Sequence, residues 1–211
     1  MTDRDELEAI YSTKAPEDIP WISEDPPPAL IETIERNSIG PCKAIDLGCG
    51  AGSYALHLAS LGFDVTGIDF APSAIEVAKA KAGAAGLICR FMVGDVLSDL
   101  SEVTDTYDFA YDWHLLHHVY PEQRDEYISN VHRILNPGAH YLSVCFSEED
   151  PNFGGTGKYR TTPLGTRLYF SSEDEMRELF EPGFKVVGLK TIETAGRHSP
   201  HRSVYVLLRR R

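Results

Sequence analysis

Positive charge is scarce in this chain. Twenty Lys and Arg stand against 32 Asp and Glu, a formal net charge of −12 at pH 7. Nucleic-acid binding draws on a basic face that releases phosphate counterions. No such face is offered, so DNA or RNA is not expected as a partner, and anionic membrane surfaces are disfavoured on the same ground. Long apolar runs are missing too. No stretch approaches about 18 consecutive apolar residues, which excludes a membrane-spanning helix. Cysteine is sparse: Cys42, Cys49, Cys89 and Cys145 form no C-x-x-C pair, and their spacings of 7, 40 and 56 fit no zinc framework. They read as reduced thiols in a cytoplasmic protein, with no metal expected. Met1 to Glu8 is acidic where a secretory leader would be basic and then apolar. What remains is ordinary globular material, 211 residues with 42% hydrophobic and 25% charged, enough for one domain without staples.

The chain divides at about residue 40. Residues 1–39 are expected to form an N-terminal helical cap. The first 25 residues carry eight acids against two bases, and a helix from Asp3 to Tyr11 would group Leu7, Ile10 and Tyr11 on one face. Pro20, Pro26, Pro27 and Pro28 then punctuate the chain, and a second helix starts near Pro28, where proline suits a first turn. From residue 40 to 211, strand and helix patterns alternate. Lys43–Leu47, Asp64–Ile68, Leu87–Val93, Tyr107–Tyr111 and Tyr141–Cys145 read as strands. Tyr54–Leu61, Pro72–Ala82 and Pro121–Leu135 read as helices between them. Such alternation predicts an α/β fold: a Rossmann-like, doubly wound, mostly parallel sheet with helices on both faces. Residues 148–170 are glycine-rich and aperiodic, a lid or insertion loop of functional length. Ser172 then opens a capping box with Glu175. Strands around Lys185–Thr191 and Ser203–Leu208 close the chain as an antiparallel hairpin, and Arg209 to Arg211 are expected to fray.

The chemistry concentrates on Asp46-Leu47-Gly48-Cys49-Gly50-Ala51-Gly52, which follows a strand and opens a helix. Glycines there let the backbone turn sharply and approach a ligand. The spacing is G-x-G-x-G, with Ser53 where a dinucleotide fingerprint needs its third glycine, and this disfavours a nicotinamide cofactor. Asp69 ends the second strand 21 residues after Gly48, where a carboxylate accepts the hydroxyls of an adenosine ribose. Asp95 and Asp112 stand at the ends of the next two strands. Four strand-end carboxylates would repel a pyrophosphate and suit a ligand with hydroxyls, amines and a positive centre.

These motifs, AIDLGCGAG, VTGIDFAPSAIE, GDV and HRILNPGAHYL, resemble those of class I S-adenosylmethionine-dependent methyltransferases, over roughly residues 20–211. The resemblance implies a seven-stranded sheet with its last strand antiparallel. It implies S-adenosylmethionine as cofactor, with Gly48, Cys49 and Gly50 beside the methionine portion and Asp46 and Asp112 near that end. It implies Asp69 on the ribose, Phe70 against the adenine, and Asp95 and Val96 at the adenine edge. Pro20-Trp21 followed by Pro27-Pro28-Ala29-Leu30 is similar to the entry segment of the thiopurine, thiocyanate and tellurite-resistance type methyltransferases, which act on small, often soft nucleophiles. Trp21 would then lie over the cofactor, where an aromatic face attracts a sulfonium; the alternative is that it packs on the core edge.

Trp113-His114-Leu115-Leu116-His117-His118 follows the fourth strand. His114 or His117 is a candidate to contact the acceptor or take its proton near neutral pH, the alternative being solvated histidines at a turn. In the loop, Arg160 and Arg167 among Tyr159, Tyr169 and Phe170 are either substrate-recognising or solvated. The expected function is methyl transfer to a small-molecule acceptor, such as a thiol, by in-line displacement. The alternatives are a non-catalytic S-adenosylmethionine binder, a protein methyltransferase or, on a related sheet, an NAD-dependent oxidoreductase.

Overall fold

The computed structural model describes residues 3–98, 100, 103–154 and 156–211. Helix α1 (Asp3–Thr13) and a short 3₁₀ turn at Pro16–Asp18 precede α2 (Pro28–Arg36). The alternating part runs β1 (Lys43–Leu47), α3 (Ser53–Ser60), β2 (Asp64–Asp69), α4 (Pro72–Ala85), β3 (Arg90–Val93), β4 (Tyr107–Trp113), α5 (Pro121–Ile134) and β5 (Leu135–Phe146). Two short strands, β6 (Tyr159–Thr161) and β7 (Arg167–Tyr169), come before α6 (Glu173–Phe180), β8 (Phe184–Thr194) and β9 (His201–Arg210). Among the described residues, seven strands form one sheet in the order β3-β2-β1-β4-β5-β9-β8. All pair in parallel except β9, which runs antiparallel to both β5 and β8. No helix among the described residues is long and apolar enough to cross a membrane.

Strand alternation sorts side chains onto two faces. Ile45, Leu47, Ala110, Tyr141 and Cys145 face α5 and α6, where Tyr127, Val131, Met176 and Phe180 complete one core. Ala44, Val65, Phe109, Tyr111, Leu142 and Val144 face α2, α3 and α4, meeting Leu30, Ala55, Leu58, Ile75 and Ala78. The central strands are thus buried on both sides, as a parallel sheet requires.

Helix ends follow the sequence signals. α2, α4 and α5 each carry proline in the first turn. α6 has the full capping box: Ser172 Oγ accepts from the Glu175 amide at 3.2 Å, and Glu175 Oε2 accepts from the Ser172 amide at 2.8 Å.

Four expectations change. β3 begins at Arg90, not Leu87, because Gly86 in the left-handed region ends α4 and the chain needs three residues to reach β2. β5 begins at Leu135. Tyr107 pairs with Leu135 and Phe109 with His140, so residues 136–139 loop out around Gly138. The segment 148–170, expected to lack structure, contains the β6–β7 hairpin. Arg209 and Arg210 do not fray: they belong to β9, and their guanidinium groups donate to the carbonyls of Gly138 and Leu135.

Candidate functional site

The rim at the carboxyl ends of β1, β2 and β4 is built around a turn that only glycine can make. Gly48 and Gly50 sit at φ +71° and +50°. A Cβ on Gly48 would lie 2.8 Å from Leu115 Cδ1, and one on Gly50 would lie 2.6 Å from the Tyr11 hydroxyl. The amides of Gly48 and Cys49 both donate to the Ile68 carbonyl, at 2.8 and 3.0 Å, which ties the turn to the end of β2. Cys49 tucks its sulfur beneath the turn, 2.9 Å from where a Cβ on Gly67 would stand. Burial, with Asp46 and Asp69 adding repulsion, pushes its thiol well up, so it is a packing group rather than a nucleophile.

The four aspartates do not share one environment. Asp69 is buried at the rim. Its Oδ2 accepts from the Gly50 amide at 2.8 Å and its Oδ1 from the Ala71 amide at 2.9 Å. Burial raises its pKa while those amides restrain the rise. Each oxygen keeps a lone pair for a ligand hydroxyl. Asp46 faces the α2–α4 side with Tyr111; its Oδ2 is buried with no hydrogen-bond partner among the described residues. Burial, reinforced by Asp69 and Asp112, lifts it to about 8. Asp112 lies level with Leu47 and Ser143 and points to the other face. It is fully buried and accepts from Tyr127 at 3.1 Å and Tyr141 at 2.5 Å, inside the core rather than open at the rim. Burial lifts it to about 6. Asp95 closes a local turn, its Oδ1 accepting from the Leu97 amide at 2.9 Å. Val96 is buried in the α5-side core and its carbonyl accepts from Asn130.

The N-terminal segment roofs this rim. Phe70, directly after Asp69, packs with Leu7, Ile10, Ile19, Tyr11 and Ile22. Trp21 is 37% exposed and its Nε1 donates to the Tyr11 hydroxyl at 2.8 Å. Their rings meet edge to face at 6.0 Å. Glu8 holds α1 against α4 through the Ser73 hydroxyl at 2.5 Å. Tyr11 is the residue that sequence reasoning missed. Helical spacing grouped it with Leu7 and Ile10 as an apolar position, and the pattern gave no sign of where its hydroxyl ends.

His114 and His117 stand further along, over β5 and β9. His114 has φ +63°, unusual for a residue with a side chain, and its amide donates to Val144. Its Nε2 lies 3.2 Å from Ser203 Oγ and 3.4 Å from Thr194 Oγ1. His117 stacks on Phe146 at 4.2 Å, and its Nδ1 is buried with no hydrogen-bond partner among the described residues. Burial, helped by neighbouring histidines, lowers His114 to about 3 and His117 well below its usual range, so both are neutral imidazoles. Among the described residues no group of three or more His, Cys, Asp or Glu is arranged to hold a metal ion.

The two loop arginines divide. Arg160 is buried over the Phe170 ring and donates to the carbonyls of Glu148, Asp150, Asn152 and Gly157. It is the clasp of its own segment rather than a free recognition group. The guanidinium of Arg167 lies over Tyr159 at 4.2 Å.

Sheet order, glycine turn and a carboxylate on the next strand end are those of a Rossmann-like, doubly wound sheet. Residues 44–138 match the family described as a methyltransferase domain. The chain is 32% identical over 150 residues to 2-heptyl-1-hydroxyquinolin-4(1H)-one methyltransferase of Mycobacteroides abscessus, a match covering 69% of this chain and 65% of that one. It is 30% identical over 164 residues to a ubiquinone biosynthesis O-methyltransferase of Coxiella burnetii, covering 73% and 66%. A solved structure concerned with conversion of a disulfide bond into a thioacetal group during echinomycin biosynthesis superposes with a TM-score of 0.82 at 27% identity, over 98% of this chain and 92% of that one. The chain thus spans about two thirds of the length of these two curated relatives. The residues present fit S-adenosylmethionine in their chemistry: Gly48 and Gly50 bring backbone without side chains to the rim, and Asp69 and the unpartnered Asp46 Oδ2 are acceptors for hydroxyl and amino groups.

Proposed function

We propose that this chain is an S-adenosylmethionine-dependent methyltransferase with a small-molecule acceptor. The observation that carries the reading is the glycine turn hydrogen-bonded to Asp69 under the Tyr11–Trp21 roof. In this reading Asp69 accepts the ribose hydroxyls, and Gly48, Cys49 and Gly50 border the methionine portion. Phe70 flanks the adenine, Asp95 and Val96 meet its edge, and Trp21 covers the cofactor. Asp46 takes the amino end directly, whereas Asp112 supports the rim from within the core. The cofactor supplies a methyl group already activated on a sulfonium. The protein's task is alignment and exclusion of water.

The acceptor is a nucleophile acidic enough to ionise with little help, such as a thiol or an acidic hydroxyl. His114 and His117 are desolvated neutral imidazoles and poor proton acceptors; a thiol supplies some thiolate near neutral pH unaided. The hydroxyquinolone named for one relative belongs to this range. His114, His117 and Phe146 border the acceptor. Residues 1–39 act as the cap and 40–211 as the methyltransferase domain.

Titration calorimetry with S-adenosylmethionine, S-adenosylhomocysteine and NAD tests the reading. Micromolar binding of the first two, lost in Asp69→Ala and absent for NAD, is expected. Transfer of labelled methyl to a panel of thiols and N-hydroxy or phenolic heterocycles then separates an enzyme from a binder. Labelling confined to protein substrates would identify a protein methyltransferase.

A further inference from the structure

The Tyr11 hydroxyl makes a contact that neither packing nor its own hydrogen bonds explain. It comes from outside the sheet, on α1, and rests on the bare backbone of Gly50, 2.6 Å from where a Cβ would stand. Its oxygen accepts from Trp21 Nε1 at 2.8 Å, which fixes the direction of the phenol. The hydrogen bonds of the described residues give its own proton no acceptor. The nearby Asp69 carboxylate accepts from the Gly50 and Ala71 amides and makes no hydrogen bond with Tyr11 among the described residues, so its remaining lone pairs stay open to a ligand. Burial and the charge of Asp69 push the phenol pKa far up, so the proton stays on the oxygen. The O–H is thus aimed by Trp21 and keeps its donor capacity for an acceptor that a ligand brings to the rim.

Resting on the methyltransferase reading, we propose that Tyr11 is a binding residue that donates its phenolic proton to the α-carboxylate of the cofactor's methionine portion, with Trp21 as the positioning residue that aims it. The roof then recognises a chemical feature and is more than a cover. Sulfonium and thioether forms both carry that carboxylate, so substrate and product cofactor are gripped alike. An adenosine thioether lacking the amino-acid end makes no use of Tyr11.

The test compares S-adenosylhomocysteine with 5′-methylthioadenosine in calorimetry, on the wild-type chain and on Tyr11→Phe, with a thermal melt to check that the variant is folded. Loss of a hydrogen bond to a charged group predicts about tenfold weaker S-adenosylhomocysteine binding in Tyr11→Phe, with 5′-methylthioadenosine unchanged. Trp21→Phe, which keeps an aromatic ring in place of the indole and removes the Nε1 donor, is expected to weaken S-adenosylhomocysteine selectively and by less. Equal losses for both ligands would reduce Tyr11 to packing and overturn the proposal. Unchanged or tighter binding would make the ring a plug that the ligand displaces, which overturns it equally. Failure of the wild-type chain to bind S-adenosylhomocysteine would instead overturn the methyltransferase reading underneath.

Discussion

Two segments outside the sheet reach toward its carboxyl-terminal rim, and they are attached in opposite ways. The N-terminal segment opens with the regular helix α1, and among the described residues it is held chiefly by the apolar contacts of Leu7, Ile10 and Ile19, the Glu8–Ser73 and Glu24–Lys81 pairs, and Trp21 on Tyr11. Residues 148–170 are glycine-rich and mostly irregular, yet they are bolted down. Arg160 satisfies four carbonyls of its own segment. The buried Asp150 accepts from the amides of Asn152 and Arg202 and from His201. Lys158 bridges Glu148 and Glu175, and the Tyr169 hydroxyl donates to Glu175. Fixity follows from attachments, and not from secondary structure. We propose on this ground that residues 148–170, which composition marks as a lid, act as a wall and that α1 acts as the door.

Arg160→Ala attacks the wall and has the largest expected effect. Stranding buried carbonyls costs roughly 3 kcal/mol, or about 6–12 °C of Tm for a chain of this size. S-adenosylhomocysteine affinity of the folded fraction is expected to stay within about twofold. A loss of affinity with intact Tm would reverse the comparison.

Asp46 tests whether the rim between the two segments is dry. Between pH 5 and 8 an unfolded Asp46 has released its proton while the native group, at about 8, still holds it. Unfolding then releases a proton, so stability falls as pH rises through this window. Asp46→Asn cannot ionise, and its Tm advantage over the wild type is expected to grow from pH 5 to 8. Growth of about 1.4 kcal/mol, roughly 3–5 °C, is expected for each pH unit below the native pKa, whereas a pH-independent difference would mean that water reaches the carboxylate.

Ser172→Ala removes the α6 cap that receives the wall through Glu175, at about 1 kcal/mol and about 2–4 °C. Glu8→Ala attacks the door and has the smallest effect on stability, within about 1 kcal/mol for a part-buried polar pair near the surface. Its signature lies in binding, where S-adenosylhomocysteine affinity is expected to drop about threefold as α1 and Tyr11 come undocked. A larger effect on Tm than on affinity would show that α1 is structural.

The sheet was legible because its evidence is local. Strand and helix periods alternate, prolines mark helix starts, and Ser172–Glu175 is a readable cap. The glycine turn and Asp69 were legible because spacing alone sets a strand–turn–helix rim. The side-chain direction of Asp112 was not, since a shift of one residue along a strand reverses the face, and pairing with β1 decides which face is met. Arg160 was misjudged for another reason: four carbonyl partners within its own loop exist only once the loop is folded. Tyr11 needed the docking of α1 on α4, a contact between distant segments that no periodicity encodes.

The position of β9 carries a consequence for how the molecule assembles. Among the described residues β8 pairs with the sheet through β9 alone, and β9 pairs with it along one seam, His140–Phe146 against Ser203–Arg209. The β8–β9 hairpin is local in sequence and can close early. The seam joins residues far apart in the chain and must wait for loop closure. Pairing of β9 with β5 is therefore expected late in assembly, and in hydrogen exchange the amides of the β8–β9 hairpin are expected to open before those of the parallel strands.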